Sequence, residues 1–441
     1  MSNILLHEPL FFSNEIKNVS TCIKTGWVST GGQFVSKLED KIINYTKSKF
    51  SVALNSGTTA LDLSLKAIST KPNDEIIVPT ITFIAPINAV LYNNCNPIFM
   101  DSDPYGNIDI SKVKDFIIDH TTFRNGFSIN KRTKSKVKAI IIVHVFGNVV
   151  DFSEIVSLCK KRNIKIIEDA SESLGSFLKK NGKIEHSGNH GDIGCISFNA
   201  NKILTTGAGG AIITNNYNYF KRISYISTQA KDDPIRFIHG DIGFNAKLNN
   251  VSASIGVAQF KTLKQILKKK RAIHNYYMNK INKLNNFTIL NNPESSQSNN
   301  WLNLLKLKKN NYRYLEKVLN IFFQNKIQVR PVWYPNHLQK KMKKFQRYKL
   351  SEYKNISRNV LRDENIDLPF DQVRKLENLR DGIEKLLNTA TAVHGEPLGV
   401  GLAAGRYAAM KLYQMHGRAE TMAFFNSCIE TVEIAEDISV K

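Results

Sequence analysis

From about residue 50 to residue 215 the chain alternates short apolar stretches with helix-type stretches, and no other feature restricts its possible folds as strongly. Phe50-Ser-Val-Ala-Leu54, Glu75-Ile-Ile-Val-Pro79 and Asn96-Pro-Ile-Phe-Met100 read as strands, as do Val137 to His144, Ile164 to Ile167, Gly194 to Phe198 and Gly210 to Thr214. Gly57 to Lys66, Ala85 to Tyr92 and Ser153 to Lys161 read as the helices between them. Strands joined by crossover helices make a mostly parallel sheet with helices on its faces. Such sheets bind ligands at the carboxyl ends of their strands. The residues that bear chemistry are therefore sought at those ends.

From about 248 to 280 the pattern becomes one long helix. Residues 281–388 mix short strands, Trp301 to Leu307 and Gln328 to Val332, with further helices, as in a smaller α+β domain. After Asn388 a lysine-, asparagine- and isoleucine-rich body gives way to an alanine- and glycine-rich segment. The expected organisation is a large α/β domain with an N-terminal arm over residues 1–260, a smaller α+β domain over 261–388, and an appended helical tail over 389–441.

The strand ends carry a consistent set of groups. Lys202 lies in Cys195-Ile-Ser-Phe-Asn-Ala-Asn-Lys202, directly before Ile203-Leu-Thr-Thr-Gly-Ala-Gly-Gly210. Ser197 precedes it by five residues, and Asp169 closes the apolar run that includes Ile166-Ile-Glu-Asp-Ala170. Asn55-Ser-Gly-Thr-Thr-Ala60 places Thr58 and Thr59 where a strand turns into a helix, and free amides at a helix N-terminus cradle phosphate. Phe83 follows another strand, where its ring can stack on a planar ligand. An amine, hydroxyls around a phosphate cradle and a buried carboxylate are what pyridoxal phosphate (PLP) requires. The amine binds its aldehyde, the hydroxyls and amides hold its phosphate, and the carboxylate keeps its ring nitrogen protonated.

The formal charge of +23 raises a competing reading, a basic nucleic-acid-binding or scaffold protein. The excess is spread along the chain, and its densest runs, Lys131 to Lys138 and Lys268-Lys-Lys-Arg271, lack interleaved aromatics. The first reads as a solvated loop and the second as the polar part of a helix, so no nucleic-acid partner is expected, while anionic nucleotide substrates suit the field. No run of about eighteen apolar residues suggests a membrane span. The five scattered cysteines fit reduced thiols in a cytoplasm and supply no metal site.

Ser56-Gly-Thr-Thr-Ala-Leu61, Glu168-Asp-Ala170, Gly191-Asp-Ile-Gly-Cys-Ile-Ser-Phe198, Lys202, Gly209-Gly210 and Gly243-Phe-Asn245 occur in an order that resembles the DegT/DnrJ/EryC1/StrS family of sugar-nucleotide aminotransferases. The resemblance runs over roughly residues 5–388. It implies a type I PLP-dependent transferase fold, like that of aspartate aminotransferase, working as a homodimer with shared active sites. It implies that Lys202 carries PLP, that Asp169 pairs with the ring nitrogen, and that Thr58, Thr59 and Ser197 hold the phosphate. Asn245 would reach the phosphate of the neighbouring subunit, and Glu172 stands where many members have Gln or His near the ring hydroxyl.

Leu6-His-Glu-Pro9, Glu172-Ser-Leu-Gly175 and Trp301-Leu-Asn303 resemble the branch that aminates C4 of UDP-linked 4-keto-6-deoxy-N-acetylhexosamine, with glutamate as donor, for bacillosamine- and legionaminate-type surface glycans. GDP-4-keto-6-deoxymannose is the alternative substrate, and a lyase-type PLP reaction another outcome. Related dehydratases carry histidine in place of the lysine, so Lys202 argues against dehydration. After Asn245 the family commonly has an aromatic and an arginine, whereas this chain has Ala246 and Lys247. Lys247 and Arg330, the latter in Val329-Arg-Pro-Val-Trp333, are the substrate-contact candidates. In the tail, Val393-His-Gly-Glu-Pro-Leu-Gly-Val-Gly-Leu402 resembles the histidine-bearing helix start of the 3-dehydroquinate synthase and metal-dependent alcohol dehydrogenase group. One histidine without the rest of that domain makes no metal site.

Overall fold

The computed structural model describes residues 4–180, 182–307 and 312–357. The chain divides into two compact units, Met1–Asp363 and Glu364–Lys441. The tail expected over 389–441, its His394, and residues 358–388 of the expected smaller domain lie outside the described residues.

The core is an eight-stranded sheet. Its spatial order is Phe50–Leu54, Gly210–Thr214, Ile193–Ser197, Lys165–Asp169, Val137–Val143, Glu75–Pro79, Asn96–Met100 and Arg347–Tyr348. All run in one direction except Gly210–Thr214, which is antiparallel to both its neighbours. The sheet is mostly parallel, as the alternation predicts, and the architecture is the α/β type I fold.

Period-two alternation explains why the strands are apolar almost throughout. Ile76 and Val78 join one core cluster and Ile77 the other, and the same split places Ile141 and Val143 against Ile140 and Ile142. Both faces are thus buried, and polar residues are left to the strand ends. Helices α1 (Ser13–Thr25), α2 (Gln33–Thr46), α3 (Gly57–Ala67), α4 (Ala85–Tyr92), α5 (Ile110–His120), α6 (Ser153–Lys161) and α7 (Tyr217–Ile226) lead to the long α8 (Asn250–Ile281). Asn249 caps α8 by accepting from the Ser252 amide at 2.8 Å. Helices α1 and α2 pack on it.

Two strand expectations fail for identifiable reasons. Only Leu305–Leu307 of the 301–307 stretch is a strand, paired with Phe287–Ile289. Trp301 is withdrawn from any ladder because Asn299 Oδ1 accepts from its amide and its carbonyl accepts from Lys270 Nζ. Gln328–Val332 is no strand: pairing with the N-terminal arm is confined to the isolated Ile4–Ile327 bridge, and Pro331 has no N–H with which to continue a ladder. In the basic run of α8, Lys270 is not on the solvated face. It is partly buried, and that burial lowers its pKa.

Candidate active site

The carboxyl ends of the parallel strands open into a cleft of about 740 Å³. Two glycines bring its floor together. A Cβ on Gly210 would lie 2.5 Å from the Ser56 carbonyl carbon, and one on Gly57 would lie 2.9 Å from Ser197 Cβ. Only with both positions bare can the first turn of α3 sit against the Ser197 strand end. Ser56 caps that helix, accepting from the Thr59 amide at 3.0 Å while its hydroxyl meets the Thr59 hydroxyl at 2.8 Å. The amides of Gly57 and Thr58 precede the first possible intrahelical acceptor, and both residues line the cleft with Ser197.

Lys202 enters from the loop after Ser197. Its Nζ lies 3.3 Å from Glu172 Oε1 and 4.1 Å from the centre of the Trp301 indole. Glu172 Oε2 accepts from the Phe146 amide at 2.8 Å. Burial pushes the Glu172 carboxyl up, against the pull of Lys202 and the Phe146 N–H. Asp169, at its strand end, is also buried and also pushed up by burial, although Ser171 donates to it at 3.0 Å and Lys202 favours its anion.

Next to Asp169, Glu168 behaves in the opposite way. Burial again opposes its ionisation, but His144 at 2.8 Å and the amides of Gly188, His190 and Gly191 outweigh it and hold the carboxyl down to about 2. His144 Nδ1 accepts from the Val150 amide, so Nε2 carries the proton donated to Glu168. This fixed anion anchors the strand end that presents Asp169.

The cleft gathers Thr58, Phe83, Asp169, Glu172, Ser197, Lys202 and Arg330. Phe83 is 54% exposed there. Three other candidates stand apart from it. Thr59 has its amide and hydroxyl engaged in the α3 cap. Asn245 is exposed and forms a bridge with Thr228. Lys247 pairs with Glu39 Oε1 at 2.6 Å, and that carboxylate also accepts from the Ala53 amide. Lys247 in this chain is thus a tie between α2 and the first strand.

Other residues join the site without having been assigned a role from sequence. His7 lines the cleft and is pushed down to about 4 by burial and by Lys270 and Lys202. Trp333 lines it too, stacked on Phe146 at 4.6 Å. Trp301 completes the wall beside Lys202. The usable signal was that Leu6-His-Glu-Pro9 and Trp301-Leu-Asn303 stand out as family-like motifs, although no single residue in them carries a role of its own.

A lysine in the loop after a strand end, a buried carboxylate and a helix start kept tight by glycine on this fold fit a PLP-dependent aminotransferase. The chain belongs to the DegT/DnrJ/EryC1/StrS aminotransferase family, whose pattern matches residues 11–385. GDP-perosamine synthase of Escherichia coli O157:H7 is 31% identical over 354 residues, covering 80% of this chain and 91% of that protein. The UDP-4-amino-4,6-dideoxy-N-acetyl-beta-L-altrosamine transaminase of Campylobacter jejuni (serotype O:23/36, strain 81-176) is 31% identical over 270 residues, 60% of this chain and 66% of that protein. The solved structure of PseC from Helicobacter pylori, an aminotransferase involved in pseudoaminic acid biosynthesis, superposes with a TM-score of 0.72 at 22% identity, covering 81% of this chain and 92% of that one.

The residues present fit PLP. The cradle between Gly57 and Ser197 is one that added Cβ atoms would crowd, and Asp169 is a buried carboxyl that a cationic ring nitrogen would hold ionised. Among the described residues there is no cluster that would hold a metal ion, and no helix is long and apolar enough to cross a membrane.

Proposed function

We propose that the protein transfers an amino group from an amino-acid donor, glutamate by family resemblance, to C4 of a GDP-linked 4-keto-6-deoxyhexose of the perosamine type. The observation that carries this reading is the match to GDP-perosamine synthase over 91% of that protein's length, against 66% for the UDP-linked transaminase at the same identity. It replaces the UDP-N-acetylhexosamine substrate suggested by the short motifs around His7 and Trp301. That match extends over most of the relative's length, whereas the motifs are a few short pieces of the chain.

When bound, PLP supplies an aldehyde and an electron-accepting ring through which nitrogen passes from donor to ketone. Thr58, Ser197 and the amides opening α3 hold its phosphate, and Phe83 covers a ring face. Asp169 keeps the ring nitrogen charged. Lys202 would hold the cofactor between turnovers, and its Nζ, once freed, would take up and return the proton at the reacting centre. Glu172 lies beside Lys202 as the proton's neighbouring acceptor. Arg330, at the cleft mouth, meets the anionic groups of donor and nucleotide sugar. Asn245, which does not line the cleft of its own chain, serves the site of a second subunit, while Lys247 stays paired with Glu39.

Coupled assays with GDP-, UDP- and dTDP-linked 4-keto-6-deoxy sugars test the substrate. The GDP sugar should exceed the others in kcat/KM by roughly tenfold or more, about the net effect of one hydrogen bond. Preference for the UDP-N-acetylhexosamine derivative would overturn the reading in favour of the shorter motifs.

A further inference from the structure

We propose that Trp301 is a positioning residue for Lys202, its indole face holding the freed amine as a cation next to Glu172. The inference rests on the aminotransferase chemistry of the family and not on which sugar nucleotide is used.

Lys202 Nζ stands 4.1 Å from the indole centre, within the range where an ammonium is attracted to the negative face of the ring. The lysine side chain is only 14% exposed and the tryptophan is buried, so little water screens the contact. On the amine's other side is Glu172 Oε1 at 3.3 Å. The ammonium therefore has a face-on aromatic partner and a carboxylate partner at once.

The indole is itself held from several directions. Its Nε1 donates to the Asn201 carbonyl at 2.6 Å, which links it to the residue preceding Lys202. The main-chain carbonyl of Trp301 accepts from Lys270 Nζ at 3.0 Å. Its amide donates to Asn299 Oδ1 at 2.9 Å, and the Nδ2 of the same asparagine donates to the carbonyls of Glu172 and Leu174. Asn299 thus sets the spacing of the two groups that flank the amine.

The consequence concerns proton traffic. A face that favours the ammonium stabilises the proton once Lys202 has taken it up, until it is delivered to the acceptor carbon. The test uses the full-length protein loaded with pyridoxamine phosphate, the form in which Lys202 is free. Competitive acetylation with acetic anhydride, read by mass spectrometry of the Lys202 peptide, gives the pH midpoint of labelling. In Trp301→Leu the midpoint should fall by about one pH unit, a tenfold change in the protonation equilibrium. Trp301→Phe keeps an aromatic face and should fall part of the way.

A Leu variant with an unshifted midpoint overturns the proposal. So do equal shifts in Phe and Leu, which would assign the effect to the lost N–H bond to Asn201. If the Leu variant does not fold, Trp301→Phe against the natural protein decides, and an unshifted midpoint again overturns it. None of these measurements needs a sugar substrate, so failure here is separable from failure of the GDP-sugar reading.

Discussion

Lys202 Nζ and Glu172 Oε1 are 3.3 Å apart in a wall of the cleft where burial pushes the carboxyl up while the ammonium pulls it down. Two residues thirty positions apart in sequence thereby share one proton environment. Glu172→Gln keeps the shape and removes the charge, and its amide must turn a donor toward either Lys202 or the Phe146 N–H. The variant should still bind PLP through Lys202 and keep its visible absorbance band, with the single-turnover rate of the donor half-reaction reduced roughly 10²-fold. Rapid mixing with glutamate measures this. An unchanged rate would remove Glu172 from the proton path.

Asp169→Asn separates charge from packing at the strand end. The side chain is nearly isosteric, and the Ser171 amide can still donate to its oxygen. What is lost is the anion that keeps the ring nitrogen protonated. The expected result is a fall in kcat of roughly 10²- to 10³-fold, the scale of one removed electrostatic stabiliser, with little change in KM for the sugar nucleotide. Steady-state kinetics decide it, and a rise in KM alone would place Asp169 in binding.

Asn299→Leu should destabilise the fold as well as the site. It orphans the carbonyls of Glu172 and Leu174 and the amide of Trp301, all in a buried region. At about 1–3 kcal/mol for each unsatisfied group, the loss is roughly 3 kcal/mol or more, readable as a lower denaturant midpoint. The same side chain occupies the space that a Cβ on Gly147 would need, 2.1 Å from its Oδ1. Gly147→Ala should therefore impair stability through the same contact.

How far the sequence could be read depended on the range of each interaction. Strands such as Glu75–Pro79 and Asn96–Met100 were legible to the residue because both faces are buried and their apolar runs end in polar turns. Lys202, Asp169, Ser197 and Thr58 were legible because a parallel sheet sends its strand ends to one edge. Contacts made by side chains distant in sequence were not. Lys247 finds Glu39 at a separation of 208 residues, and Asn299 finds Glu172 at 127. No local pattern encodes either partner. Arg347–Tyr348 extends the main sheet with only two residues, too short for any periodicity. Lys270 was hidden in a basic run whose other members face water, because burial of one helical position depends on what packs across from it.

His186 gives the fold a pH dependence with a definite sign. It is buried, its Nδ1 donates to the Ser187 carbonyl and its Nε2 accepts from the Gly175 amide at 2.9 Å. Protonation at Nε2 would set two donors against each other, and burial pushes the pKa down to about 4 from 6.5. Between those values the unfolded chain binds a proton that the folded chain refuses, so stability is complete above about pH 6.5 and is lost on acidification toward 4. The shift corresponds to about 3 kcal/mol over that window. Asp169 and Glu172, pushed up, act in the opposite sense, so the natural protein shows only a net slope. Comparing it with His186→Gln isolates the single group: denaturant midpoints at pH 7 and pH 4.5 should differ less in the variant. Equal pH dependence in the two proteins would mean that His186 takes up its proton without opening the Gly175 turn beside Glu172.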